Sequence, residues 1–368
     1  MSIAASAQPN EGPRRIAWVH PQGGLVGLSL LNTLLRVLTL GVYHFWGKTE
    51  VRQRIWSAVR IDGEPLEYRG TGGELFRGFL VVFLLVLLPL GLTAFLVQLL
   101  FGAQLARRSG IEVLVWLLIF VLWGIGIHRA RRYRLSRTRW RGIRGGLSGR
   151  SASFGWTYLW TTLLVPLTLG WILPWRAVKL QKVLFDQTHF GDKAFTFTGR
   201  AGPLYSRFWL VWVSGIALFI GVSVAIGLVI AGNARNIGNS PGLNPPSAAQ
   251  IGAIVGILFA ALLIFAIIRA WYSSRMFNYF AAETKYQGCS FRLNATAPSL
   301  IWLVASNYLI RMLSLTILSP VVEARSMRYI VDRLSLEGPI EWQAIGQNPD
   351  ALLTRGEGLA EAFNVDAF

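Results

Sequence analysis

Four long runs without a charged side chain constrain this chain more than any other feature. They cover residues 80–101, 113–127, 208–231 and 251–268. A helix of about 20 apolar residues spans the hydrocarbon core of a bilayer, where ionisable side chains are costly. Only 15% of the residues are charged, against roughly 25% in an average soluble domain. We therefore expect an integral membrane protein that crosses the bilayer several times.

The charge balance is strongly basic, with 36 Lys and Arg against 18 Asp and Glu. In a soluble protein this excess would suggest nucleic acid as a partner. Loops on the cytoplasmic side of a membrane retain Lys and Arg, and anionic headgroups attract them. We therefore expect membrane lipids, and not nucleic acid, as partners. The predicted lipid-facing basic segment comprises Arg129, Arg131, Arg132, Arg134, Arg137 and Arg139. Simple cytoplasmic retention of this segment is the alternative.

One pattern recurs along the chain: an apolar element, a basic amphipathic helix and a glycine turn within a short extended piece. Such self-similarity indicates repeats. The predicted fold class is an all-α polytopic membrane protein with tandem helix–break–amphipathic-helix repeats and short strand-like cytoplasmic segments. The predicted divisions are a polar leader (1–24), repeat 1 (25–74), a helical hairpin with a basic segment (75–153), repeat 2 (154–203), a second such hairpin (204–299), repeat 3 (300–346) and a disordered tail (347–368).

Each of the three repeats begins with a single apolar element that contains a Leu-[Thr/Ser]-Leu-[Gly/Thr] sequence. Glycine tolerates backbone conformations that end a helix. We therefore predict helix breaks at Gly41 and Gly170. The third copy has Thr316 where the others have glycine, which weakens the prediction of a tight break there.

The first and last of these elements share an Asn-x-x-x-Arg pattern, formed by Asn32 with Arg36 and by Asn307 with Arg311. Residues four apart lie on one face of a helix. A charge within an apolar helix usually faces protein, water or headgroups. These four residues form the candidate intramembrane polar site, which would hold an anionic headgroup or solute. The structural alternative is that each arginine caps carbonyls at its own helix break, or extends toward the headgroups.

The repeats allow two topologies. If all basic segments lie on one side, each single element must enter and leave on that side, because about 20 residues cannot cross twice. If each single element spans fully, the chain has seven spans and two basic segments lie outside. The positive-inside tendency favours the first arrangement. The cost of non-helical backbone at membrane depth favours the second. We favour the first.

The stretch Asn32-Thr-Leu-Leu-Arg-Val-Leu-Thr-Leu-Gly-Val-Tyr, followed by Trp46, resembles the YjgN-like family of bacterial inner-membrane proteins of unknown function. The resemblance extends through the repeats to most of the chain. It implies a multi-pass protein of the bacterial inner (plasma) membrane. It implies no reaction.

The sequence carries no catalytic pattern. Its four histidines, His20, His44, His128 and His189, lack metal-ligand spacing with acids or with one another. We therefore expect no metal, no cofactor and no enzymatic activity. Internal repeats and broken helices are typical of transporters, so transport or permeation of a small solute or lipid is the first functional hypothesis. The alternative is a membrane scaffold that binds anionic lipid or a protein partner. The protein partner and the oligomeric state stay open.

Overall fold

The computed structural model describes residues 14–21, 23–108, 111–235, 247–338 and 342–346. Most of these residues are helical. The helices are α1 (Val26–Leu38), α2 (His44–Ala58), α3 (Gly72–Val82), α4 (Leu88–Arg108), α5 (Ile111–Arg137), α6 (Ser151–Leu167), α7 (Leu173–Asp186), α8 (Gly202–Arg235), α9 (Ala248–Ala282), α10 (Ala297–Leu313) and α11 (Ser319–Val331). A π-helical turn, Phe83–Leu87, joins α3 to α4.

Short strands lie between the helices. They are β1 (Arg14–Trp18), β2 (Val59–Ile61), β3 (Glu64–Pro65), β4 (Glu67–Tyr68), β5 (Thr138–Trp140), β6 (Ile143–Leu147), β7 (Thr188–Phe190), β8 (Lys193–Phe197), β9 (Thr284–Tyr286), β10 (Cys289–Leu293) and β11 (Leu334–Glu337). The predicted tail, 347–368, and residues 1–13 of the predicted leader lie outside the described residues. Strand β1 falls within that leader and was not predicted.

All the strands belong to one antiparallel sheet, with the order β3-β2-β1-β11-β10-β9-β8-β7-β6-β5-β4. The two ends of this order, β3 and β4, are consecutive in the chain and separated only by Leu66. The Leu66 amide donates to the Val59 carbonyl at 3.0 Å, so pairing is continuous at this point. The sheet therefore closes into a ring. The all-α class is wrong in this respect, because the strand-like segments pair with one another into a sheet that the sequence pattern does not reveal.

Tight turns join neighbouring strands of the ring. In the β2–β3 turn, Asp62 and Gly63 have φ values of 49° and 84°, and Arg141 with Gly142 repeats this geometry at 50° and 78°. Two central residues with positive φ are the requirement of the type I′ hairpin, whose twist matches that of the strands. The predicted glycine turns are therefore hairpin turns.

Each hairpin connects a helix that arrives at the ring with a helix that leaves it. For example, α5 runs directly into β5, and β6 runs into α6. The last hairpin is formed by both ends of the chain, because β1 pairs with β11 and with β2. One closed ring cannot be divided by a membrane. All the hairpins of the ring therefore lie on the same side of the membrane, as the first of the two topologies requires.

Among the described residues, four helices are long and apolar enough to cross a membrane: Gly72–Leu100, Val113–Arg137, Gly202–Val229 and Ala248–Ala282. They form two pairs, α3 and α4 with α5, and α8 with α9. Each pair leaves the ring and returns to it. Helices α1, α6 and α10 also leave the ring, but each ends at a turn and is followed by a helix that returns (α2, α7 and α11).

A short segment closes the inside of the ring. Residues 342–346, which we call the cap segment, contain a 3₁₀ turn, Trp342–Ala344. Trp342 packs edge-on against Trp140 with 4.5 Å between ring centroids. Ile345 is buried in one cluster with Tyr286, Cys289 and Leu336. The ring therefore encloses a packed core.

Candidate functional site

The three turns between α1 and α2, α6 and α7, and α10 and α11 share one geometry. In the first, the Gly41 amide donates to the Arg36 carbonyl at 2.7 Å, and the Thr39 hydroxyl donates to the Leu35 carbonyl at 2.7 Å. The same hydroxyl oxygen accepts from the Tyr43 amide at 2.9 Å, which begins the next helix. One threonine therefore caps both helices. The bond from the Gly41 amide to the Arg36 carbonyl satisfies a further carbonyl at the end of α1.

The equivalent bonds recur in the other two turns. The Gly170 amide donates to the Val165 carbonyl at 2.8 Å, and the Thr316 amide donates to the Arg311 carbonyl at 2.7 Å. The hydroxyls of Thr168 and Ser314 repeat the two-way cap. Backbone groups in a membrane must be satisfied internally. These bonds remove the objection that a broken helix is too costly at membrane depth.

Large apolar side chains project from these turns. Leu40 is 95% exposed, Leu169 75% and Leu315 81%. Gly41 and Gly170 follow the first two leucines and have φ values of 94° and 83°. The turns lie at the far ends of helices that leave the ring, and their exposed leucines suit contact with lipid. We call these three segments the leucine turns. The sequence signal for them is the second leucine of the Leu-[Thr/Ser]-Leu pattern.

The structure separates the members of the predicted Asn-x-x-x-Arg pairs. Asn32 donates to the Gly47 carbonyl at 3.3 Å, and Asn307, which is 8% exposed, donates to the Ser326 hydroxyl at 3.2 Å. Both amides thus link the outgoing helix to the returning one. Arg36 and Arg311 are exposed in the last turns of α1 and α10. Neither guanidinium has a hydrogen bond or ion pair within the part of the chain that the structure describes.

Two further links between paired helices were missed by the sequence reasoning. Arg176 donates to the Thr162 hydroxyl at 2.8 Å, and Arg325 donates to the Ser306 hydroxyl at 2.7 Å. Each pair bridges an outgoing helix and its returning partner. The sequence separation of each arginine from its hydroxyl partner could have predicted these bonds only if the turn were already known to reverse the chain.

The predicted basic segment is divided between internal and external roles. Arg137 is buried and binds Glu74 through two hydrogen bonds of 2.9 and 3.0 Å. Arg131 stacks on Phe185, with 4.7 Å from its guanidinium carbon to the ring centroid. Arg132 donates to the Gly149 carbonyl at 3.3 Å.

The other three members of the segment differ in exposure. Arg134 is half-buried, and Arg139 lies on β5 opposite Glu67 and Arg144. Arg129 is exposed. Of the six predicted residues, Arg129 is thus the one whose placement best suits contact with lipid headgroups.

The cap segment is held at the β7–β8 turn. The Asp192 amide donates to the Gly346 carbonyl at 3.0 Å, and the Gly346 amide donates to the Asp192 carboxylate at 3.0 Å. The Lys193 ammonium, together with this amide, holds the pKa of Asp192 below its usual value. Burial, and then the charge of Asp192, raise the pKa of Tyr286 in the adjoining core. The arrangement therefore keeps Asp192 ionised and Tyr286 neutral at physiological pH.

No three His, Cys, Asp or Glu side chains within the described ranges lie close enough together to hold a metal ion. The buried His128 is instead used in packing, with ring nitrogens 3.0 Å from the Ser151 hydroxyl and 3.0 Å from the Gln187 side-chain oxygen.

These features define a multi-pass membrane protein with a ring-shaped domain on one face. The DUF898 family, described as bacterial protein of unknown function, matches residues 18–362, and the chain belongs to that family. A segment of 65 residues is 35% identical to the inner membrane protein YjgN of Salmonella typhimurium, covering 18% of this chain and 16% of that protein. The match thus spans about a sixth of the relative's length. No solved structure matches the chain. The resemblance to the YjgN-like family and the multi-pass inner-membrane location are thereby confirmed.

Proposed function

We propose that this protein is a non-enzymatic scaffold of the inner membrane, whose ring lies at the cytoplasmic surface and whose helices hold anionic lipid around it. The observation that carries the proposal is the exposure of the membrane-crossing helices. In their most apolar windows, only 6%, 22%, 6% and 0% of the residues are buried by the rest of the chain. A transporter needs a binding site enclosed between helices near the midplane. Helices that face lipid on nearly all sides suit an anchored platform better.

The arginines of the leucine-turn helices support lipid as the partner. Side chains on a helix point toward its N-terminus. The N-termini of α1 and α10 lie at the ring, so Arg36 and Arg311, which lie close to the leucine turns, point back toward the cytoplasmic side. A guanidinium binds phosphate with several donors in a fixed geometry. A lipid phosphodiester therefore fits both positions.

We further propose that the ring is built from five copies of one unit, in which a helix, a hairpin and a second helix follow one another. Repeated contacts between neighbouring units support this. On four of the five arriving helices, a residue reaches the start of the preceding unit's outgoing helix. The pairs are Tyr133 with Glu74 (2.6 Å), the Arg200 amide with Tyr279 (2.8 Å), Tyr329 with Ser299 (2.6 Å) and Arg54 with the Gly24 carbonyl (2.6 Å). In the fifth unit the chain ends supply the two halves of the hairpin.

Transport of an anion is the second candidate, and the charges of Arg36 and Arg311 within apolar hairpins favour it. The test reconstitutes the chain in vesicles that contain phosphatidylglycerol and phosphatidylcholine. We expect no anion flux above protein-free vesicles. We also expect spin-labelled phosphatidylglycerol to be immobilised more than labelled phosphatidylcholine.

Two variants decide between the candidates. Arg36→Ala with Arg311→Ala should reduce the preference for phosphatidylglycerol. Arg60→Ala with Arg292→Ala, which removes two arginines from the ring strands β2 and β10, should leave it unchanged. Anion flux that disappears in the first variant would refute the scaffold and support transport. Equal immobilisation of both lipids in the wild type would refute the lipid-binding part of the scaffold.

A further inference from the structure

The two leaflets of the membrane receive unequal numbers of helices. Seven apolar helical segments are joined to the ring within the described residues: the four membrane-crossing helices and α1, α6 and α10. Only the four membrane-crossing helices are long enough to cross the whole bilayer. The three shorter helices turn back before the outer surface, so the cytoplasmic leaflet holds more helix than the outer leaflet.

The length of these three helices sets their depth. Helix α1 has 13 residues, and α6 and α10 have 17 each. At 1.5 Å per residue they extend about 20–25 Å, less than the roughly 30 Å hydrocarbon core. Each then turns back at a leucine turn, with Leu40, Leu169 and Leu315 as the deepest side chains.

The returning helices are of a different character. Helix α2 carries Lys48, Arg52 and Arg54, and α7 carries Arg176, Lys179 and Lys182. Each of these helices begins at a leucine turn and packs beside its outgoing partner on the way back to the ring. It therefore adds further volume to the leaflet nearest the ring.

We propose that the protein is a leaflet wedge, which expands the cytoplasmic leaflet and accumulates where that leaflet is convex. A helix has a diameter of about 10–12 Å, so each extra helix adds roughly 100 Å² to one leaflet. A helix inserted in one leaflet binds with a curvature-dependent strength. This inference rests on the proposed scaffold function and names the lipid surface that the scaffold prefers.

The test compares the protein density in small and large vesicles of one composition, phosphatidylethanolamine with phosphatidylglycerol. The full-length chain is labelled on the ring and reconstituted, and only molecules with the ring outside are counted. We expect an enrichment of at least about twofold in the small vesicles, because interfacial insertion is curvature-sensitive. Equal densities in both sizes would overturn the wedge. The lipid preference tested for the scaffold does not depend on vesicle size, so the two proposals fail separately.

The matched variants introduce an aspartate either at the leucine turns, in the lipid, or beside the ring, outside the lipid. Leu40→Asp, Leu169→Asp and Leu315→Asp, tested singly and together, should reduce the enrichment while the four membrane-crossing helices stay inserted. Val19→Asp, at an exposed position beside the ring, should keep it. If the combined variant fails to fold, the single variants decide. Unchanged enrichment in all three single variants would overturn the proposal.

Discussion

The carboxylate of Glu74 accepts two hydrogen bonds from the guanidinium of Arg137, at 2.9 and 3.0 Å. Glu74 lies in the first turn of α3, and Arg137 is the last residue of α5. The pair therefore joins the beginning of one membrane-crossing helix to the end of the helix that returns from the membrane. Tyr133 donates to the same carboxylate at 2.6 Å.

Replacing one member of this pair is expected to destabilise the protein. Arg137→Ala leaves a partly buried carboxylate without its cation, which costs about 3 kcal/mol for a buried pair. The matched control is Arg69→Ala, which breaks the exposed pair with Glu67 and costs at most about 1 kcal/mol. Thermal unfolding in detergent measures both. Equal losses would contradict the structural role of the buried pair.

The third leucine turn offers a stabilising substitution. Thr316 has a φ of 68°, where Gly41 has 94° and Gly170 has 83°. Left-handed backbone costs a residue with a Cβ atom about 1–2 kcal/mol, and glycine avoids this cost. We expect Thr316→Gly to raise the melting temperature and Gly41→Thr to lower it. A decrease in both variants would argue against the shared turn geometry.

Closure of the ring by the first strand can be tested by truncation. Strand β1 pairs with β11 and with β2, so its removal leaves two unpaired sheet edges. Such edges promote association with other chains. We expect deletion of residues 1–21 to cause aggregation in detergent. Deletion of residues 1–13, which retains β1, should leave the protein monodisperse. A monodisperse sample after the longer deletion would show that β1 is dispensable.

Close packing between α5 and α6 depends on two glycines. A Cβ atom at Gly155 would lie 2.8 Å from the Val121 carbonyl, and one at Gly124 would lie 2.9 Å from the Cα of Gly155. We expect Gly155→Ala to destabilise the protein by about 1–3 kcal/mol, because the helices must move apart. The control Gly221→Ala, in α8 with open space around it, should be neutral or slightly stabilising. A neutral Gly155→Ala would contradict the packing.

The sequence predicted the membrane-crossing helices because their signal is local: long apolar runs define them without reference to partners. It also predicted the breaks at Gly41 and Gly170 and the recurring glycine turns, because glycine carries its own backbone preference. The closed sheet was not predictable in this way. Strands of two to five residues are too short for a clear alternating pattern. The strands pair because the helices between them return to the same side of the membrane and bring the strands together.

The candidate site was predictable in part for a similar reason. The Asn-x-x-x-Arg spacing correctly indicated that the two residues of each pair lie in one helix. A helical wheel does not show which of them faces the returning helix. Asn307 faces α11, whereas Arg311 lies beyond the contact at the end of α10. Likewise, a run of arginines in a sequence suggests one basic surface. Arg137 does not belong to such a surface, because it is buried in an ion pair with Glu74, which lies 63 residues away in the sequence.

The one-sided ring is tested most directly by cysteine accessibility. Cys289 is the single cysteine and is fully buried, so it should stay unlabelled, and Cys289→Ala provides the control background. Single cysteines are placed at Lys193 and Lys285, on β8 and β9, and at Ser240 between α8 and α9.

A membrane-impermeant thiol reagent is then applied to intact cells and to inverted vesicles. We predict that the Lys193→Cys and Lys285→Cys variants react only in inverted vesicles, and that Ser240→Cys reacts in intact cells. Labelling of Lys193→Cys or Lys285→Cys in intact cells would place part of the ring outside and contradict the account.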